Sequence, residues 1–326
     1  LTEMTEKILA ELLKRGNVSG QAISEELGVT RAAIWKQIEH LRSLGFEIES
    51  AGRQGYKLRA CPDSLMTPMI RLRLRTKWAG REMVYHDSLE STNRLARELA
   101  AQGAKEGTLV IANEQTGGRG RRGRGWVSPK GDSVLMSLIL RPKTHPSKVA
   151  KMSLMTALAV ALAIREITGL DARIKWPNDI VCDGRKVCGM LLEMTADEQC
   201  VHDVVAGIGI NVHQKEFDED IAQSASSLDL LCGRFIRRSD VVCAFLKKFE
   251  ELVESYKGNE DELMAAYRER SATLGNRVQV IQAGGSFIGT AEAVTDSGAL
   301  IVRDEDGVMR EVLAADVSVR GIMGYV

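Results

Sequence analysis

The chain has 326 residues, room for about two domains at ~150 residues each, and is 44% hydrophobic and 27% charged. That apolar content supports a real core and excludes fibrous and wholly disordered chains. Lys plus Arg and Asp plus Glu both number 44, so the net charge is zero and nucleic-acid or membrane binding has to be argued from local pattern.

The N-terminal stretch LTEMTEKILAELLKRG sets acids among its apolar residues and has no signal-peptide core. A helix over 4–14 places Ile8, Leu9, Leu12 and Leu13 at helical spacing. Ser19 caps a second helix closed by Gly28, and Thr30 caps a third closed by Gly45. Helix–Gly-Val-Thr–helix is the spacing of a helix-turn-helix. On the third helix Ile34, Ile38 and Leu41 share one face, while Ala32, Lys36 and Ser43 lie opposite, with His40 near them. Alternating strands carrying Phe46 and Ile48, then Tyr56 and Leu58, flank the turn AGRQG and complete a winged helix. Residues 1–30 hold three basic and five acidic side chains, and residues 31–60 hold six and three. The positive side therefore coincides with the third helix and the wing, and Ala32 and Lys36, with Arg53 or Lys57 on the wing, are the DNA-contacting candidates. The alternative is a small helical bundle with a solvated polar face.

The segment RACPDSLMTP, with Pro62 and Pro68, reads as a boundary, giving domains at 1–60, 64–272 and 273–326. Strands are expected at 108–115, 133–140, 173–176, 179–182, 186–194 and 204–212, with Asp183-Gly184 as a hairpin turn. Helices are expected at 92–102, 147–168 and 240–257, an α+β or α/β layer. The apolar run 152–164 is 13 residues long, short of the ~18–20 that a bilayer needs, so it is a buried helix and no membrane partner is expected. The last fifty or so residues are short strands broken by Gly, Asp and Ser, a small β-barrel of SH3-like size. Cys61, Cys182, Cys188, Cys200, Cys232 and Cys243 are scattered without a C-x-x-C pair and read as reduced thiols of a cytoplasmic protein.

The segment GGRGRRGRGW at 117–126 interleaves four arginines with five glycines. It matches G-x-G-x-x-G literally, but the following WVSPKGDS cannot open a helix, so the dinucleotide turn fails; a P-loop fails for want of GK[ST]. What remains is a glycine loop studded with guanidiniums, suited to phosphate and expected to be disordered until an anion arrives. The alternative is a solvated basic turn. In Lys175-Trp176-Pro177-Asn178-Asp179, Asn178 and Asp179 project at a strand junction, and Asp179 offers the carboxylate that Mg²⁺ on a nucleotide needs. Lys186, across the hairpin, can place a positive charge where negative charge develops; the alternative is a surface Lys/Asp hairpin. Ser91-Thr92-Asn93 opens a helix; capping explains at most one of the three.

STN at 91–93, Gln115, GRGRRGR at 118–124, KWPND at 175–179, GRK at 184–186 and GIGINV at 207–212 stand in an order that resembles the biotin protein ligases. With the winged helix, the chain is similar to the bifunctional subclass, the biotin operon repressors, over essentially its whole length. The resemblance implies an α+β chain: winged helix-turn-helix, a central mixed-sheet ligase domain of class II synthetase type and an SH3-like C-terminus. It implies that biotin and ATP condense to biotinyl-5′-AMP and that the biotinyl group then passes to a lysine of a biotin carboxyl carrier protein. It places Ser91, Thr92, Asn93 and Gln115 around the biotin ureido ring, and Arg119, Gly120 and Arg121 over biotin and the acyl-phosphate. Arg121 and Arg124 would hold phosphates and Lys186 the carboxylate and mixed anhydride. Asp179 would ligate Mg²⁺ beside Asn178, and Lys175 would face the phosphates. Residues 213–233 fall at the family's adenine-side loop, where Phe217 is the only aromatic. The implied partners are operator DNA and a second copy of the chain when the adenylate is bound. A lipoate-type ligase and a ligand-sensing repressor without ligase activity are the rival readings.

Overall fold

The computed structural model describes residues 3–50, 52, 55–146, 149–256, 259–282, 285–314 and 318–321. They fall into two compact units, Leu1–Leu74 and Arg75–Val326.

The first unit begins with α1 (Glu3–Arg15), β1 (Asn17–Val18), α2 (Gly20–Leu27) and α3 (Arg31–Ser43). The Ser19 hydroxyl accepts from the Ala22 N–H and the Thr30 hydroxyl from the Ala33 N–H, so both anticipated N-caps form. Gly28 closes α2 in the left-handed region. Past α3, Gly45 donates to the Arg42 carbonyl and Phe46 to the Leu41 carbonyl, a Schellman closure that needs the positive φ of Gly45. Strands β2 (Glu47–Ser50) and β3 (Tyr56–Ala60) form the wing, and β1 joins them in the order β1-β3-β2. Ile8, Leu9, Leu12, Ile34, Ile38 and Leu41 are fully buried between the helices. The Thr5 hydroxyl donates to Gln37, and Arg42 reaches the Ile48 carbonyl and the Ser50 hydroxyl, fixing α3 against α1 and the wing. The stretch read as a boundary holds α4 (Thr67–Arg73), which packs on α1; its proline lies in the first turn, where the missing N–H costs nothing.

In the second unit, β4 (Met83–His86), α5 (Thr92–Ala101), β5 (Leu109–Ala112), β6 (Ser133–Leu140), α6 (Val149–Thr168), β7 (Arg173–Lys175), β8 (Asp179–Cys182), β9 (Arg185–Ala196) and β10 (Val201–Asn211) follow in order. The strands make a seven-stranded sheet, β4-β5-β6-β10-β9-β8-β7, antiparallel except for β4 on β5. All eight residues of β6 are buried, so both faces of the sheet are covered. Helix α5 packs Ala96 and Ala100 on Val110, Ile139 and Val205; α6 and α8 (Arg238–Ser255) lie against β10 and β6 and against each other. Strand β4 and the helices α7 (Leu228–Cys232) and α9 (Glu260–Arg270) were not anticipated. Among the described residues no helix is long and apolar enough to cross a membrane.

The C-terminal strands β11 (Arg277–Gln282), β12 (Gly285–Val294), β13 (Leu300–Asp304), β14 (Met309–Val312) and β15 (Ser318–Gly321) form an antiparallel sheet in the order β14-β13-β12-β11-β15. Trp176, 1% exposed, ties this sheet to β7: its indole N–H donates to the Gly298 carbonyl at 3.0 Å and its backbone N–H to the Thr273 hydroxyl at 2.9 Å.

The Glu250 carboxylate of α8 accepts from the backbone N–H groups of Lys77, Trp78 and Ala79 at 2.6, 2.8 and 3.0 Å. Burial pushes its pKa up, but these three donors outweigh burial and hold it below the usual 4.5. Glu250→Gln is expected to destabilise the second unit by about 2–3 kcal/mol, because an amide cannot accept from all three donors as an anion does. Since the folded pKa is the lower one, this contribution is full above pH 4.5 and drains as pH falls through the folded value. Denaturation of both forms against pH checks it: the gap should close on acidification.

Candidate active site

Strand β10 carries Gly207 and Gly209 on the face that α5 partly covers, and Gly209 stands opposite Gly189 of β9 in register. Glycine at alternate strand positions strips one face of side chains and lets another group lie on the backbone. Trp126 does so. A Cβ on Gly209 would sit 2.7 Å from its Cε2, and one on Gly189 would sit 2.9 Å from its Cζ3. The Lys186 ammonium lies 5.7 Å from the indole centroid. The indole Nε1 is buried with no hydrogen-bond partner, an arrangement that costs about 1–3 kcal/mol.

Beside this floor the Thr92 N–H and hydroxyl both donate to the Gln115 amide oxygen, at 2.7 and 2.9 Å. Ser137 donates towards Thr92 Oγ1 and Asn93 Oδ1 at 2.8 and 2.6 Å. The Asn93 amide donates to the Leu191 carbonyl and the Glu193 carboxylate at 3.1 and 2.8 Å, and packs directly over Gly207. Ser91 is the N-cap residue of α5 by position, yet its hydroxyl makes no capping bond. The STN string is thus used away from capping, with Thr92 and Asn93 fixed in a buried polar network.

The arginine loop is folded rather than disordered. Arg119 bridges to Gly125, the Gly120 N–H donates to the Arg124 carbonyl at 2.7 Å, and a 3-10 turn spans Arg121–Gly123. Arg121 anchors it, donating to Asn178 Oδ1 at 3.1 Å and to the Ala314 carbonyl. Burial lowers the pKa of Arg121, Asp179 opposes that, and Arg122 and Arg124 add to it. Arg119, Arg122 and Arg124 are exposed and make no ion pair among the described residues. They leave three unpaired positive charges on the loop that leads into Trp126.

Lys186 pairs with Asp179 at 2.7 Å, the two being 26% and 18% exposed. Asp179 stands opposite Lys175, which is buried, and opposite Gly189. The Trp176–Pro177 peptide is cis, and the Asn178 amide donates to the Met190 carbonyl, fixing the turn between β7 and β8. Residues 224–226 run along the start of β9, with the Lys186 N–H donating to the Ser224 carbonyl at 2.8 Å. Phe217 lines a cleft with Arg185, Ala225, Ser226 and Leu230, next to the Lys186 backbone; the ring beside the Lys186 ammonium is Trp126.

One cluster therefore gathers Arg121, Asn178, Asp179 and Lys186, and the Thr92–Asn93–Gln115 network adjoins it across the glycine floor. Sequence reasoning missed Trp126, Ser137, Glu193 and the role of the glycines. The alternation of Gly207 and Gly209 was the signal for the last, since strands exclude glycine without a reason. No group of three or more His, Cys, Asp or Glu suited to a metal exists among the described residues. One carboxylate beside a cationic loop fits an ion carried in on nucleotide phosphates, not a resident protein cage. Cys182 and Cys188 are core thiols: burial pushes Cys182 up to about 12 and raises Cys188 further, so neither is a nucleophile at neutral pH.

In the first unit Ala32 and Lys36 are exposed on α3 and Lys57 is half-buried on β3; Arg53 lies outside the described residues.

Three families match in the expected order: HTH domain at 5–57, Biotin/lipoate A/B protein ligase family at 85–211, and Biotin protein ligase C terminal domain at 273–320. The chain is 39% identical to the bifunctional ligase/repressor BirA of Bacillus subtilis, over 95% of this chain and 97% of that one. It is 28% identical to the Escherichia coli protein of the same name, over 96% of both. Among solved structures, biotin protein ligase from Aquifex aeolicus in complex with biotin and ATP superposes with a TM-score of 0.65 at 29% identity, covering 74% of this chain and 99% of that one. The winged helix, the mixed sheet with its arginine loop and the C-terminal sheet agree with these matches, and the chain belongs to the biotin protein ligases, in their bifunctional ligase/repressor group.

Proposed function

We propose that the chain activates biotin with ATP and transfers the biotinyl group to a lysine of a biotin carboxyl carrier protein, and that it represses transcription in response to the adenylate. In the first step a biotin carboxylate oxygen bonds to the α-phosphorus and the bond to pyrophosphate breaks. In the second, the lysine amine attacks the acyl carbon and AMP leaves. Neither step needs a protein nucleophile; both need positioning and charge neutralisation. The observation that carries the reading is a flat, side-chain-free floor flanked by a polar network on one side and by Lys186, Asp179 and Arg121 on the other.

The Thr92, Asn93 and Gln115 network, with Ser91 beside it, meets the ureido ring, and the floor under Trp126 takes the ring system. Binding then lifts the indole away and gives its orphaned N–H access to a partner. Lys186 leaves Asp179 to neutralise the carboxylate and the α-phosphate. Arg119, Arg121 and Arg124 close on the phosphates around the close backbone approach that Gly120 allows, and buried Lys175 supports them from below. Asp179, next to Asn178, is the residue that would hold Mg²⁺, whose chemistry is to neutralise phosphate charge. We place the reaction in the cytoplasm, where ATP is supplied. Mass spectrometry of an apo-carrier domain incubated with the chain, ATP, Mg²⁺ and biotin tests the reading: a gain of one biotinyl group is expected, with lipoate as the control that should add nothing.

The repressor half rests on a dimer. One winged helix reads few base pairs, and a net charge of zero gives little non-specific attraction, so useful affinity takes two copies on two half-sites. The arginine loop is already folded, and biotinyl-AMP bound to its guanidiniums holds it more tightly, which lowers what pairing must spend on rigidity. Sedimentation with and without the adenylate is expected to show a shift to dimer, and operator titration a parallel gain. Tight binding by a monomer, or binding indifferent to the adenylate, would sink this coupling and leave the ligase reading standing.

A further inference from the structure

The chain has four tryptophans, and on α3 stands the exposed one. Trp176 is in the core, and Trp78 and Trp126 are half-covered, but Trp35 is 57% exposed. Its neighbours Ile34 and Ile38 turn the other way and are fully buried, so α3 does not need Trp35 for packing. It makes no ring contact and no hydrogen bond among the described residues. At 3.6 residues per turn, Ala32, Trp35, Lys36 and Glu39 fall within an arc of about 100° on the face opposite the core.

The rest of that face is arranged around the indole. Arg31 is held by Gln21 of α2, and Glu39 is neutralised by Arg42. Lys36, beside Trp35, and Lys57 on the wing make no ion pair among the described residues. A large apolar ring thus stands on a surface whose unpaired charge is positive, on the second helix of a helix-turn-helix, near its N-terminal end. The cations suit phosphates. The ring suits something apolar, and the apolar exocyclic group that bases present in the major groove is the 5-methyl of thymine.

We propose that Trp35 is a specificity-determining residue for DNA: its indole face packs on the 5-methyl group of one thymine in each operator half-site, while Lys36 meets the adjacent backbone. The inference rests on the operator-binding reading above. Burying one methyl-sized group makes each such thymine worth about fourfold in affinity, and the two half-sites together about fifteenfold.

The test uses the full chain with biotin, ATP and Mg²⁺, and a duplex enriched by that chain from a random-sequence pool. Each thymine is replaced in turn by deoxyuridine, which deletes the methyl and leaves base pairing intact. One thymine per half-site is expected to lose about fourfold in the original chain. The same replacement should have no effect on Trp35→Ala and should keep its effect on Trp35→Phe, which retains a ring. Thymine sensitivity that is absent throughout, or equal in the chain and in Trp35→Ala, overturns the assignment. So does a Trp35→Ala chain that binds every duplex as the original does, which would make the ring a surface for protein. Enrichment of no duplex at all overturns the operator reading itself, and the proposal with it.

Discussion

Lys186→Ala is expected to lower adenylate formation about 100-fold or more, the loss typical of removing one donor from an oxyanion-type site. The carboxylate of biotin and the phosphates of ATP repel each other as they close, and the Lys186 ammonium is the cation set between the glycine floor and Asp179. Its position is fixed on both sides: the backbone is paired with residues 224–226, and the side chain with Asp179 and the indole of Trp126. Chemically made biotinyl-AMP should still bind, because in the proposed reading the arginines meet the phosphate independently of Lys186. Single-turnover formation of the adenylate, followed by its dissociation, separates the two. Arg121→Ala should show the complementary defect, losing a charge-assisted bond worth about 1.5–3 kcal/mol and releasing the adenylate faster. Near-normal adenylation by Lys186→Ala would remove Lys186 from the chemistry.

The residues in that argument differ in how far they could be read from sequence. Ser19, Thr30 and Gly28 act within a few positions of themselves, so the ends of α2 and α3 were legible from local chemistry alone. Lys186 and Asp179 are joined by the Asp183-Gly184 hairpin, which fixes their facing positions over a short stretch. The arginine loop was legible in composition but not in state. Repulsion among its guanidiniums argues for disorder, yet Arg121 finds Asn178 and the carbonyl of Ala314, 193 residues away. No local rule contains that contact. Strand β1, two residues long, and edge strand β4, with its single parallel partner, lack the length to show a period.

Trp126 was hidden for a related reason. Its seat exists only because the register of β9 on β10 sets Gly189 opposite Gly209, and a slip of one residue would turn that pair to the other face. Ser137 and Glu193 entered the polar network by the same route, from strands that the chain reaches 44 and 100 residues after Asn93. Each reads as an unremarkable strand residue until the sheet is assembled. The glycines carried the visible trace of the site, and the tryptophan carried the shape.

Gly209→Ala is expected to weaken biotin binding about 100-fold, equivalent to about 2.7 kcal/mol. The backbone of Gly209 lies outside the left-handed region, so an alanine there carries no conformational strain and acts through its methyl alone. That methyl would lie 2.7, 2.9 and 3.0 Å from three atoms of the indole, Cε2, Cζ2 and Nε1. Overpacking of this kind costs about 1–3 kcal/mol where the neighbour cannot yield. In the ligand-free chain Trp126 can yield, by leaving the floor, and its fluorescence should shift to the red as the ring meets water. In the placement proposed above biotin has no such freedom, because the Thr92–Asn93–Gln115 network would fix one end and Lys186 the other. The substitution therefore separates the seat from the chemistry: adenylation at saturating biotin should recover in Gly209→Ala and not in Lys186→Ala. Calorimetric titration of biotin checks the affinity. A dissociation constant within twofold of the original, with the indole displaced, would mean that the substrate ring lies elsewhere and that the glycine floor serves only Trp126.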